Sequence, residues 1–125
     1  MRSIDPMDMA PTIGNYAHAV SVPGNSRMLF ISGQIPATAS GIVPEGFAAQ
    51  AEAVWSNIGK ILQDTGLSFG NLAKVTTFLS SKEYATENGE IRRKFLGAHR
   101  PALTVVVVDT LDPAWLLEIE AVAVG

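Results

Sequence analysis

The feature that most constrains this chain is a change of hydrophobic period near residue 47. Phe47, Ala51, Val54, Trp55, Ile58, Ile61 and Leu62 fall at i, i+4, i+7, i+8, i+11, i+14 and i+15, one face of an α-helix. The pattern ends at Asp64-Thr65-Gly66, where Gly66 suits a C-cap. On either side the period is that of strands. Tyr16 to Val22 and Arg27 to Ser32 flank the turn cluster Pro23-Gly24-Asn25-Ser26 and are expected to form a hairpin. Leu72 to Leu79 is rich in β-branched residues, and Ala102 to Asp109 and Trp115 to Val124 are further apolar runs. Between them Tyr84, Asn88, Ile91 and Phe95 repeat at i, i+4, i+7 and i+11, a second helix.

The resulting order is strand, strand, helix, strand, helix, strand, strand. It predicts an α/β (α+β) domain, a mixed sheet with two helices on one face. The other face is then apolar and needs a partner. Residues 11–125 are expected to form this single domain behind a flexible N-terminal tail at residues 1–10. Gly33 to Gly46 reads as a loop, with a short extended piece at Ile42-Val43.

Composition narrows the function classes. Hydrophobic residues make up 47% of the 125 and charged residues only 17%, so the chain is no disordered segment. So little charge on so small a chain also suggests surface hidden in an oligomer. A net charge of −3 lacks the basic excess of a nucleic-acid binder. With no cysteine there is no disulfide and no thiolate nucleophile or ligand, which suits the cytoplasm. The longest unbroken apolar run, Val105 to Val108, is far short of the ~20 residues that span a bilayer, and no leader segment is expected at the N-terminus.

Few side chains are candidates for chemistry. No phosphate loop or metal-ligand spacing occurs, and His18 and His99 have no acidic neighbour at ligand spacing. The run Arg92-Arg93-Lys94 reads as a solvated helix face. Glu118 and Glu120 are more telling. They lie two apart in an apolar strand and so share a face, where two carboxylates are either paired at an interface or placed beside a pocket to orient water.

Four segments, Gly14-Asn15-Tyr16-Ala17-His18-Ala19-Val20, Leu29-Phe30-Ile31-Ser32-Gly33-Gln34-Ile35-Pro36, Arg100-Pro101-Ala102 and Glu118-Ile119-Glu120-Ala121-Val122-Ala123, resemble the Rid (reactive intermediate deaminase) or YjgF family, over about Pro11 to Val124. The resemblance implies a chorismate-mutase-like fold. It also implies a homotrimer whose sheets form a central barrel, with small-molecule pockets at the subunit interfaces and no cofactor or metal. The archetypal members hydrolyse enamines and imines such as 2-aminoacrylate to 2-keto acids and ammonia. Carried over by residue, Glu118 positions or activates the water, and Tyr16, Ser32, Gly33, Tyr84 and Asn88 line the pocket. The family's carboxylate-clamping arginine falls on Leu103. The expected substrate is therefore an imine or enamine other than 2-aminoacrylate, one without a carboxylate or binding it otherwise. The alternative is a metabolite-binding or regulatory trimer without turnover. Ribonuclease activity is disfavoured by the acidic balance.

Overall fold

The computed structural model describes all residues 1–125. Its elements run β1 (Arg2–Ile4), β2 (Ala19–Ser21), β3 (Met28–Gln34), α1 (Phe47–Asp64), β4 (Leu72–Leu79), α2 (Ala85–Leu96), β5 (Ala102–Val107) and β6 (Leu117–Val124). The main sheet has the order β3-β6-β4-β5. β6 pairs antiparallel with both β3 and β4, while β4 and β5 are parallel. A parallel pair needs a long crossover, and α2 supplies it. This is the mixed sheet with two helices that the alternating periods predict.

α1 forms where the 3.6-residue period requires it. Phe47, Ala51, Val54, Trp55, Ile58 and Leu62 are all buried, and they meet Leu72, Val75, Leu79, Leu117, Ile119 and Ala121 from the sheet. The helix ends in a Schellman turn: Leu67 N–H donates to the Leu62 carbonyl at 2.8 Å and Gly66 N–H to Gln63 at 3.1 Å. Gly66 stands at φ +76°, where a Cβ would be strained. Gln50, buried at the start of α1, uses its whole amide. It donates to the carbonyls of Pro44 and Ala114 and accepts the Leu116 N–H at 2.8 Å, tying α1 to the segment that enters β6. Ile58 is fully buried between helix and sheet. Ile58→Ala is expected to cost about 2–5 kcal/mol, read as a lower urea midpoint at fixed protein concentration.

Three local expectations are corrected. β2 does not form a hairpin with β3; it pairs with β1, so a segment read as tail carries a strand. Asp5 anchors that segment, accepting the His18 N–H at 2.8 Å and an Arg100 N–H at 3.1 Å. These bonds, the backbone one foremost, hold its carboxyl below the usual range. β3 continues through Gly33 and Gln34 instead of ending at Ser32, and Ile42-Val43 is not a strand. The pairing error has a simple cause: a three-residue strand carries no period, and its partner is chosen by distant chain.

Alternation along β4 and β6 separates the sheet's faces. Val75, Thr77, Leu79, Leu117, Ile119 and Ala121 point to the helices and are buried. Nothing in the chain covers the opposite face, where Phe30 is 73% exposed and Val106 is also exposed. No helix is long and apolar enough to cross a membrane.

Candidate functional site

On the open face, β3 and β6 fall out of register. Ile31 lies opposite Ala121 and Gln34 opposite Ile119, so β3 carries an extra residue at Ser32-Gly33. Such bulges redirect side chains, and a glycine inside a strand marks a close approach. Here the approaching group is Glu118. A Cβ on Gly33 would overlap the Glu118 carboxylate, so the hydrogen of glycine is what leaves room for it. Gly33 has no positive φ, so space and not backbone conformation demands the glycine. The chain's two ion pairs, Lys94–Glu52 and Arg100–Asp5, leave Glu118 without a cation. Ser32, next to Gly33 in the bulge, is exposed and lines a shallow pocket with Glu120, which is exposed on the same face. The structure thus brings Glu118 and Gly33 together, with Ser32 beside Gly33 in the same bulge.

Tyr16, Asn88 and Leu103 gather elsewhere. They line a cleft of about 500 Å³ between α2, β5 and the segment before β2. Tyr16 is placed by its neighbours: Ala17 bridges to Ala102, and Arg100 donates to the Tyr16 carbonyl at 2.8 Å. Leu103 lies opposite Val75 and shares its helix-side face, whereas Glu118 lies opposite Phe78 on the open face. The two positions are also two strands apart, roughly 10 Å at the usual spacing. One chain therefore cannot present Leu103 and Glu118 to one small molecule.

Tyr84 is outside the cleft. It stacks on Phe47 with ring centroids 4.6 Å apart, and burial, aided by Glu83, pushes its phenol up. Both histidines are held by main-chain carbonyls, His18 Nε2 donating to Ala10 and His99 Nε2 to Leu72, each at 2.7 Å. No three His, Asp or Glu side chains are grouped to hold a metal ion.

Arg92 corrects the reading of the basic run as solvated. Arg93 and Lys94 are exposed, but Arg92 is only 8% exposed and lines the cleft. The signal lay in the helical phase: Arg92 is i+4 from Asn88 and continues its stripe. Burial first, and the neighbouring Arg93 charge second, lower its pKa from the ordinary guanidinium value.

A family model described as Endoribonuclease L-PSP matches residues 7–125. The 2-iminobutanoate/2-iminopropanoate deaminase of Rattus norvegicus is 34% identical over 128 residues, covering 99% of this chain and 90% of the relative. Among solved structures, the Rid-family protein YyfB of Yersinia pestis superposes with a TM-score of 0.86 at 27% identity, over 98% of this chain and 96% of that one. TdcF of E. coli, solved with bound serine, gives a TM-score of 0.75 at 31% identity, over 100% and 99%.

Proposed function

Because this chain belongs to the Rid (YjgF) family, we propose that it hydrolyses a small imine or enamine other than 2-aminoacrylate, at pockets completed between copies of itself in a homotrimer. The observation that carries this reading is the Glu118 carboxylate, free of any cation and lodged against the bare Gly33 on an uncovered sheet face. A second copy seated on that face would bring its own cleft residues, Tyr16, Asn88 and Leu103, toward Glu118. Tyr84 would line the pocket only by way of such a neighbour. Relatives named as imine deaminases support the reaction class. The absence of cysteine fits a reducing cytoplasm.

In the reaction, Glu118 takes a proton from water as the water oxygen bonds to the imine carbon. The C=N electron pair moves to nitrogen, which is protonated. The resulting carbinolamine loses its hydroxyl proton to form C=O while the C–N bond breaks, and ammonia leaves. Overall, one imine and one water give one carbonyl compound and one ammonia. Glu118 serves as general base and then as acid.

Leu103 favours a second reading, metabolite binding without turnover, because an Arg–carboxylate fork of two charge-assisted bonds is absent there. Ribonuclease activity gains nothing from a net charge of −3.

The test supplies a panel of imines made in situ by amino-acid and amine oxidases, and follows ammonia release against the uncatalysed rate. Acceleration of at least one imine is expected; binding without acceleration of any would establish the second reading. Light scattering at micromolar concentration is expected to give about three times the 13.3 kDa subunit mass, and a monomer mass would overturn the assembly.

A further inference from the structure

A buried arginine ordinarily faces a carboxylate, because its five donors and its charge are costly to desolvate unpaired. Arg92 has no such partner. It takes part in neither ion pair of the chain, and after burial the neighbouring like charge of Arg93 disfavours its ionised form most. Its guanidinium lies in the cleft over Gly14 and beside Gly89, with Nη2 3.6 Å and 3.8 Å from where Cβ atoms at those glycines would stand. The cleft contains no acidic residue at all, and Lys82 adds a second positive charge at its edge.

A second polar group there is also unanswered. Asn88 is 2% exposed, and its side-chain oxygen has no hydrogen-bond partner. The remaining walls are apolar, chiefly Leu103, Val105, Val107 and Leu79. A cationic fork and an unpaired amide, set among aliphatic side chains with no counter-ion, describe the complement of one kind of molecule. It is a small carboxylate carrying a neutral donor and a branched apolar body.

We propose that Arg92 is the carboxylate-binding residue of this cleft and makes the protein selective for small 2-imino and 2-oxo acids with branched aliphatic side chains. The inference rests on the hydrolase reading for its chemistry, but the binding it asserts stands apart from turnover. Arg92 enters the cleft from α2, one helical turn beyond Asn88, whereas Leu103 lies across the cleft on β5. The ligand's carboxylate is held by the helix, and its aliphatic body packs on Leu103 and Val105. A 2-imino acid adds an N–H suited to the unpaired Asn88 oxygen, whereas a 2-oxo acid lacks that donor and is held by its carboxylate and aliphatic body alone. Leucine at position 103 is then a wall of the apolar subsite.

The experiment compares 3-methyl-2-oxobutanoate with its neutral amide by isothermal titration of the intact protein. Wild type is expected to bind the acid roughly 10- to 100-fold more tightly than the amide, the worth of charge-assisted bonds to the guanidinium. Arg92→Met is expected to abolish that preference while leaving amide affinity within about twofold, a change too small to reflect a lost direct contact. Arg92→Lys keeps the charge but loses the fork, so its acid-to-amide ratio should fall between the two. Exposed Arg93→Met should leave the ratio unchanged.

A wild type that binds acid and amide equally overturns the proposal, and so does a preference that survives in Arg92→Lys at full strength. Should Arg92→Met fail to fold by circular dichroism, the wild-type and Arg92→Lys ratios decide. An Arg92-dependent preference without ammonia release from any imine would refute the hydrolase reading and leave this one standing. Ammonia release with no acid preference would do the reverse.

Discussion

Glu118→Gln is expected to lower imine hydrolysis by roughly 10²–10⁴-fold, the usual contribution of a positioned acid–base group. Glutamine keeps the volume and the hydrogen-bonding shape but cannot take a proton from water. Because Glu118 has no ion-pair partner within the chain, the neutral substitution breaks no salt bridge there, and stability should change little. Gly33→Ala sharpens the test. The new Cβ would stand against the Glu118 carboxylate and within 3.2 Å of its Cγ, so the side chain must rotate away. The displaced atoms belong to a flexible side chain and the glycine is not at positive φ, so the fold should absorb the change. Activity should therefore fall toward the Glu118→Gln level with a near-native melting temperature. Steady-state ammonia release, with thermal unfolding of the same samples, checks both. Full activity in Gly33→Ala would mean that the carboxylate's present position is not the working one.

Phe30→Glu is expected to convert the proposed trimer to monomers and to remove activity with it. Phe30 is 73% exposed in the isolated chain, beside Val122 on the same uncovered face. Burying a phenylalanine contributes about 1.5–3 kcal/mol, and a threefold assembly repeats the contact in each subunit. A glutamate there must be desolvated without a partner, at several kcal/mol per copy, and Glu120 on the same face adds like charge. Light scattering should report a mass near 13.3 kDa at concentrations where wild type is assembled. If the trimer persists, this face does not form the contact. If monomers retain activity, Glu118 and the cleft are not parts of one site.

The elements whose burial is periodic were legible in the residues. Facing a core along one side imposes a repeat of 3.6 or 2 that needs no knowledge of the partner. The α1 stripe from Phe47 to Leu62, the limits of β4 at Leu72 and Leu79, and the turn at Gly66 follow from such local patterns. The shared face of Glu118 and Glu120 does too. The segments around Tyr16, Ser32 and Glu118 were likewise enough to identify the family.

Other features depended on residues far away in the chain. Ala19–Ser21 takes Arg2–Ile4 as its partner because Asp5 and Arg100 pin the N-terminal segment there, not because of any signal in its own three residues. Arg92 and Arg93 are neighbours of the same type, yet one is buried and the other exposed; helical phase sets Arg92 on the Asn88 stripe, but it is the packing of Gly14, Tyr16 and β5 against α2 that buries it there. Tyr84 has the helical phase of a pocket residue and is claimed instead by the ring of Phe47. The separation of Leu103 from Glu118 is likewise a matter of strand order and pleat. The sequence alone determined which residues belong to the helices and strands, since burial on one side writes itself into spacing. Only the tertiary structure decided which charges are buried and which site residues share a face, because desolvation and strand pairing are set by what packs from elsewhere.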